Sequence, residues 1–218
     1  MASFEQVQIS SLVDSAYEAV RKAILVGDVE PGSRLSEAVV AREMGISRSP
    51  VREALRMLER SGLVIQQHNK GYRVNEFSEH DFFELATLRF ALESLAMRLA
   101  IESDDLIPSL ESVLDEIREA EKSGNAVKAV MLDRQFHEAI LIASGHGRLR
   151  EIWTGLRDQV ELAVANNNRS FATLAGISHA HDSLLEAIRG GNLEQVIKEL
   201  ELHIFNGPLI EKENNANS

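Results

Sequence analysis

The spacing of apolar residues changes near residue 75, from short elements separated by glycines to long helical repeats. Three segments before that point, residues 12–26, 36–44 and 47–62, carry apolar residues at helical spacing. Two short runs rich in β-branched and aromatic residues, 63–67 and 72–74, follow on either side of a turn that ends at Gly71. The pattern therefore predicts three helices and a β-hairpin in the first third of the chain.

A tight turn separates the second and third of these helices. Gly45 ends the second helix, and Ser47 or Ser49 caps the third, where Pro50 is tolerated because first-turn amides have no helical partner. Helix, helix, tight turn, helix and hairpin is the order of a winged helix-turn-helix. Such a domain reads base edges from the N-terminal end of its third helix, where Arg48 and Arg52 lie one turn apart. Each arginine taken alone is equally consistent with an ordinary solvated helix face.

The residues around this turn also resemble a known family. Pro-Gly-Ser-Arg-Leu-Ser-Glu at 31–37, and Met-Gly-Ile-Ser-Arg-Ser-Pro-Val-Arg-Glu-Ala-Leu at 44–55, are similar to the DNA-binding domain of GntR-family bacterial transcription regulators. This resemblance implies that the DNA contacts come from the third helix, the segment before the second helix, and the hairpin. The residues it indicates are Arg34, Ser47, Arg48, Ser49, Arg52, Lys70 and Gly71.

The net charge of the whole chain argues against binding to nucleic acid, but the charge of its first third is consistent with such binding. The 218 residues include 23 Lys and Arg and 34 Asp and Glu, a net charge of −11. Residues 10–75, however, hold ten basic and eight acidic residues, a net of +2, whereas residues 76–218 carry −12. A net of +2 is weak for phosphate contact, so we expect a homodimer that places two such domains on a palindromic double-stranded operator.

The absence of cysteine excludes several classes of site. With no cysteine, the chain has no disulfide framework, thiolate zinc site, iron–sulfur cluster or cysteine nucleophile. No apolar run approaches the roughly 20 residues of a membrane span, and residues 1–10 lack the basic region of a signal peptide. We therefore expect a cytoplasmic protein with no membrane partner.

The acidic part of the chain predicts a helical bundle. Helical periodicity covers approximately residues 78–101, 105–122, 125–143, 147–166, 170–189 and 192–206, without strand signals. The expected architecture is mainly α, with an all-α bundle of six or seven helices after the winged helix-turn-helix. The predicted boundaries are an N-terminal extension at 1–9, a DNA-binding domain at 10–75, an effector- and metal-binding domain at 76–210, and a flexible tail at 211–218.

Four polar residues of this bundle lie on helix faces that should be buried. Asp133 and His137 are one turn apart, and His181 and His203 share faces with leucine and isoleucine. A single histidine in such a place is more often a core residue with one hydrogen-bond partner. Burying four such groups unpaired would cost several kcal/mol, however, and one divalent metal ion would satisfy all of them.

A second resemblance covers this part of the chain. Asp-Arg-Gln-Phe-His at 133–137, together with the surroundings of His181 and His203, looks like the FCD effector domain of the FadR subfamily of GntR regulators. The resemblance implies that Asp133, His137, His181 and His203 bind a divalent metal, zinc or nickel, at which a small carboxylate effector binds. Arg89 matches a family position that often faces the effector, although it could equally pair with Glu93 on the surface.

These patterns favour a ligand-responsive, DNA-binding transcription regulator, a repressor rather than an enzyme. Two alternatives remain open from the sequence. One is a metalloenzyme with an appended nucleic-acid-binding module, because an open metal position can activate water. The other is a regulator whose metal is purely structural.

Overall fold

Two sets of elements, divided between Glu76 and Phe77, make up the chain. The computed structural model of the chain describes residues 9–67, 71–168 and 176–205. Within those residues it contains nine helices and one three-stranded sheet, so the predicted mainly α architecture is confirmed. The predicted tail at 211–218 and, apart from Ile9, the predicted extension at 1–9 lie outside the described residues.

The first unit is built on the packing of its first helix against its third. Its elements are α1 (Ile9–Val26), β1 (Arg34–Leu35), α2 (Glu37–Met44), α3 (Arg48–Arg60), β2 (Val64–Gln67) and β3 (Gly71–Val74). The inward stripe of α3 repeats at i, i+3, i+4 and i+7, and every residue of it is fully buried. The residues at the centre of this core are Ala16, Val20, Ile24, Val51, Ala54, Leu55 and Leu58.

The turn between α2 and α3 follows from two residues. Gly45 ends α2 in the left-handed conformation, with φ 66°, which glycine adopts without steric cost. Ser47 is the N-cap residue of α3, as one of the two predicted alternatives had it, but its hydroxyl makes no capping hydrogen bond. The turn therefore leaves the start of α3 exposed while the rest of the helix packs inward.

The hairpin carries a third strand that the hydrophobic pattern did not predict. The sheet order is β1-β3-β2, and both pairings are antiparallel, with Arg34 opposite Arg73. Backbone bonds hold the segment before β1 on β3, from Gly32 N to Val74 O at 3.1 Å and from Val74 N to Ser33 O at 2.9 Å. A strand of two residues has no alternation to detect, so only these backbone contacts define it.

The described residues of the second unit form six helices, as the sequence predicted. They are α4 (Glu79–Ala100), α5 (Leu106–Lys122), α6 (Ala126–Ala143), α7 (Gly147–Asn168), α8 (Ile177–Gly190) and α9 (Leu193–Phe205). Five of them begin within two residues of the predicted start. The exception is α8, predicted from residue 170, which begins at Ile177 after Gly176 as N-cap; residues 169–175 lie outside the described part of the chain.

Local signals explain where several of these helices begin. Ser78 and Asp81 form a capping box that fixes the start of α4. The Asn125 side chain accepts from Lys128 N at 3.0 Å at the start of α6. At the start of α7, His146 Nδ1 accepts from Leu149 N at 3.2 Å, so this histidine performs a capping role that asparagine commonly has. Among the described helices, none combines the length and the apolarity needed to cross a membrane.

Replacing Gly71 with alanine should destabilise the wing. Gly71 has φ +82°, and a Cβ there would lie 3.3 Å from the Leu35 carbonyl oxygen of β1. We expect Gly71→Ala to lower the free energy of unfolding of the first unit by about 1–2 kcal/mol, measured by urea denaturation.

Gly155→Ala is the matched control for that substitution. Gly155 lies inside α7, and a Cβ there would meet no atom within 4 Å. The same chemical change should therefore stabilise the second unit by about 0.5–1 kcal/mol. Equal effects of the two substitutions would contradict this account of the wing.

Candidate metal centre and DNA-binding surface

Helix α6 supplies two of the four polar groups predicted to bind metal. Asp133 and His137 are separated by one helical turn and are both buried. The residues beside them, Leu132, Phe136 and Ile140, are buried as well, so this face of α6 is the one that packs into the bundle. The two polar side chains are therefore carried into the interior by the apolar pattern around them.

The other two ligands come from α8 and α9, and all four meet at one point. One donor atom from each of Asp133, His137, His181 and His203 lies within 4.8 Å of the donor atoms of the others. His137 Nε2 is 3.3 Å from His181 Nε2 and 3.1 Å from His203 Nε2. The Oδ1 atom of Asp133 lies 3.4 Å from His181 Nε2. The structure thus brings together residues that are as far as 70 positions apart in the chain.

Each imidazole ring is oriented by an acceptor at its other nitrogen. His137 Nδ1 lies 2.7 Å from Glu93 Oε2. His181 Nδ1 lies 2.7 Å from the Ile177 carbonyl oxygen, and His203 Nδ1 lies 3.0 Å from the Ala180 carbonyl oxygen. Since a carbonyl or carboxylate oxygen can only accept here, we assign the proton of each neutral ring to Nδ1. The three Nε2 lone pairs then converge on one another and on the Asp133 carboxylate.

This donor set fits a divalent metal ion. Burial keeps the pKa of His137 and of His203 well below the usual range and lowers that of His181, so the rings are neutral. The Nε2 atoms carry no hydrogen, so each can only accept and the facing lone pairs repel one another. A cation placed between them would remove that repulsion. Two ligands that are each about 2.1 Å from an ion lie about 3.0–3.4 Å apart at octahedral to tetrahedral angles, which matches the observed Nε2 separations.

Glu93 of α4 contacts the cluster through His137, a position that the sequence analysis considered only as a surface partner of Arg89. Its side chain is fully buried, which raises the pKa of its carboxyl group against the opposing effect of the Arg89 guanidinium. Glu93 Oε2 accepts from His137, and Glu93 Oε1 accepts from Arg89 Nε at 2.8 Å. A carboxylate behind a ligating histidine holds the ring in position and increases its basicity.

The Arg89–Glu93 pair predicted as the alternative forms, but it lies in the interior, not on the surface. Arg89 is buried, and its Nη2 makes no hydrogen bond to any described residue. The pattern of α4 contained a signal for this burial, because both residues lie on the stripe formed by Leu85, Ala86, Ala96, Met97 and Ala100. Read as a pair alone, an arginine and a glutamate four residues apart resemble a surface ion pair.

A second group of charges, partly buried, lies between α6 and α7, and the sequence analysis did not anticipate it. Arg134 Nε is 3.5 Å from Glu161 Oε2, and Arg157 Nη1 is 3.7 Å from Glu138 Oε1. Because 134 precedes 138 on α6 while 157 precedes 161 on α7, the pairs form an antiparallel ladder between the two helices. His179 is exposed and is not part of the cluster formed by Asp133, His137, His181 and His203.

In the first unit, the residues predicted to contact DNA cluster at the start of α3. Ser47, Arg48, Ser49 and Arg52 are all exposed, whereas Pro50 beside them is buried. The α3 N-terminus adds its own partial positive charge to that of the arginines. The exposed end of α3 can therefore accept phosphate or base-edge contacts without any change in the core.

The remaining predicted DNA contacts are divided between the sheet and the undescribed turn. Arg34 is exposed on β1, and Gly71 is exposed at the start of β3, while Lys70 lies outside the described residues. Arg52 makes a two-pronged ion pair with Glu37 of α2, with Nη2 and Oε2 3.1 Å apart. Glu37 thus holds the guanidinium in place near the exposed end of α3.

Comparison with known families agrees with this division of the chain. Residues 12–74 match the family of bacterial regulatory proteins called the gntR family, and residues 84–206 match the FCD domain. The chain belongs to the GntR family. It is a GntR-family transcription regulator with an FCD effector domain, and the family resemblance seen in the sequence is confirmed.

Curated relatives and solved structures support the same assignment for this GntR-family chain. It is 28% identical to the uncharacterised HTH-type transcriptional regulator YdhC of Bacillus subtilis, over 86% of this chain and 85% of that protein. It is 29% identical to the gluconate operon transcriptional repressor of the same organism, over 88% of this chain and 81% of that protein. A GntR transcriptional regulator from Rhodococcus shares the fold, with a TM-score of 0.76 and 22% identity, over 90% and 95% of the two chains.

Removing the carboxylate behind His137 should weaken metal binding. We expect Glu93→Ala to lower the affinity for zinc or nickel by about 10–100-fold, measured by competition with a chromogenic chelator, because the His137 ring loses its acceptor. Glu93→Gln, which keeps an oxygen acceptor, should lose less. Glu119→Gln, on the exposed side of α5, is the control.

Thermal unfolding of the metal-free variants would separate a lost ligand orientation from a general loss of structure. Wild-type metal affinity in both folded Glu93 variants would contradict the supporting role of Glu93.

Proposed function

We propose that this GntR-family regulator is a homodimeric repressor that senses a small organic acid at a metal ion held inside its FCD domain. The observation that carries the proposal is the convergence of three Nε2 lone pairs and one carboxylate at a buried point. The proposal treats the protein as a sensor and not as an enzyme. The gluconate operon relative is named as a repressor, which favours repression over activation here.

DNA binding is assigned to the exposed start of α3, with Arg34 and the residues around Lys70-Gly71 as further contacts. Arg48 and Arg52 can each clamp a phosphate or recognise guanine, and Ser47 and Ser49 are small enough to let α3 approach the base edges. Residues 10–75, with a net charge of +2, have little electrostatic affinity for DNA on their own. Two copies on a palindromic operator add their contacts, and for this reason the proposal includes a homodimer.

Asp133, His137, His181 and His203 would hold the metal. Three imidazoles and one carboxylate suit zinc or nickel, and a bound ion of either kind supplies a Lewis acid that can accept a ligand oxygen. The four protein groups and the three Nδ1 acceptors are set in place by helices α4, α6, α8 and α9. The three rings are therefore already oriented toward the metal position before an effector arrives.

Arg89 is proposed as a second anchor for the effector carboxylate. Its Nε is held by Glu93, and its buried Nη2 makes no hydrogen bond to the described residues. A buried guanidinium nitrogen without an acceptor is costly, so a ligand carboxylate that reaches it gains a charge-assisted hydrogen bond. Since one relative is named for the gluconate operon, gluconate and other hydroxylated carboxylates are the first compounds to test.

The geometry of the cluster disfavours the two alternatives in different ways. Metal-assisted hydrolysis would need a general base, but Glu93, the carboxylate that contacts the cluster from α4, is committed to His137 and Arg89. A purely structural metal leaves the unsatisfied Arg89 nitrogen without a role. A sensor uses both features, because the effector binds the metal and satisfies Arg89. Effector and DNA are then linked thermodynamically, typically by about 1–3 kcal/mol.

Arg52→Ala should weaken DNA binding. We expect a loss of about 5–150-fold in affinity for a duplex that the wild-type protein selects from a randomised library, measured by fluorescence anisotropy at fixed salt. Arg60→Ala removes the same charge from the opposite end of α3 and should change the affinity by less than about threefold. Equal effects of the two substitutions would argue against the start of α3 as the reading element.

Metal should be required for effector binding. On zinc-loaded protein, a carboxylate that binds should raise the melting temperature and change the DNA affinity, whereas on metal-free protein it should do neither. Arg89→Lys, which keeps the charge but loses the guanidinium fork, should reduce the shift. Stabilisation by carboxylates that does not depend on metal would refute a metal-based sensor, and turnover of a bound carboxylate would establish the enzymatic alternative.

A further inference from the structure

Helix α4 exposes an apolar face on the side opposite Arg89 and Glu93. Leu88 is 49% exposed, Leu95 44% and Leu99 48%. Ala91 lies between them and is exposed as well. These residues recur at intervals of three, four and four along about 16 Å of helix, so they form one continuous stripe. Single exposed leucines are ordinary on a protein surface, but a row of them marks an interaction surface.

The concentration of exposed apolar residues on α4 distinguishes it from the other helices. Within the described part of the second unit, the other large exposed apolar side chains are Ile142, Ile152 and Leu202, and each lies on a different helix. Phe83, 55% exposed, extends the α4 surface toward its N-terminal end. Among the described helices of the bundle, α4 is therefore the one with a continuous apolar face open to a partner.

The charges that border this stripe are arranged symmetrically. Glu84 lies seven residues before Ala91 and Arg98 lies seven residues after it, and both side chains are exposed. Seven residues are nearly two helical turns, so all three positions share one side of α4. An antiparallel copy of the same helix, related by a two-fold axis at Ala91, would place Arg98 opposite Glu84 at both ends.

The apolar positions match under the same symmetry. An axis at Ala91 places Phe83, eight residues before it, opposite Leu99 of the other copy, eight residues after it. Leu88 of one copy then lies within one residue of the position opposite Leu95 of the other. The small side chain of Ala91 at the axis allows the two helix backbones to approach closely. An isologous interface needs a surface that complements itself, and this face does so in both charge and apolar contact.

We propose that the outward face of α4 is the surface on which a second copy of this chain docks, antiparallel, with the two-fold axis at Ala91. This proposal rests on the homodimer of the proposed function and assigns it to particular residues. One helix then carries the support of the metal cluster on its inner face and the dimer contact on its outer face.

Disulfide crosslinking tests the position of the axis. The chain contains no cysteine, so Ala91→Cys introduces a single thiol that can pair only with its symmetry mate. Under mild oxidation, we expect most of the Ala91→Cys protein to run as a covalent dimer on a non-reducing gel. Ser109→Cys, at an exposed position of α5, should stay monomeric on the same gel.

Charge reversal tests the register of the pairing. Glu84→Arg and Arg98→Glu should each raise the dimer dissociation constant at least about tenfold in sedimentation velocity, because each places like charges together twice across the axis. The double variant should return to within about threefold of wild type. Glu119→Arg on α5 reverses a charge that, like Glu84, lies beside a basic side chain on its own helix, and it should have no effect.

Failure of the α4 surface can be distinguished from failure of the homodimer. A wild-type dimer combined with no crosslink at Ala91→Cys and unchanged charge variants would overturn the α4 surface while the homodimer stands. A wild-type protein that remains monomeric at micromolar concentration, alone and on DNA, would overturn both.

Discussion

One electrostatic constraint governs the packing of the second unit. Three imidazole lone pairs and a carboxylate converge at one point in its interior. Each Nδ1 is already used by Glu93 or by the carbonyl groups of Ile177 and Ala180, so the rings cannot turn to relieve the conflict. Four helices must hold their positions for this to persist. A divalent cation bound there would turn the same arrangement from a cost into a source of stability.

The two units of the chain differ in how they distribute charge. The first unit buries an apolar stripe of α3 and leaves the start of that helix exposed and positive, with Glu37 fixing Arg52. Residues 76–218 carry a net charge of −12, and this charge repels DNA wherever it approaches. Contact with DNA is thereby confined to the unit that reads it, although the net charge of the whole chain points away from nucleic acid.

The sequence patterns predicted the features that follow from helical periodicity. They missed the features that only contacts between distant residues define. The buried stripe of α3 and the inward faces that carry Asp133 and His137 follow from helical spacing, so they were predictable. The strand β1 was not, because two residues show no alternation and backbone bonds from Gly32 and Ser33 define it. Glu93 was missed because its spacing from Arg89 resembles a surface pair, and only the packing of α4 shows that both are buried.

X-ray absorption at the metal edge tests the central claim most directly. Full-length protein loaded with one equivalent of zinc or nickel should show a first shell containing three imidazole nitrogens and at least one carboxylate oxygen at about 2.0–2.2 Å. His181→Ala should lose one nitrogen from that shell while the other ligands remain. A first shell made of water oxygens alone, or a shell that His181→Ala leaves unchanged, would contradict a metal centre built by α6, α8 and α9.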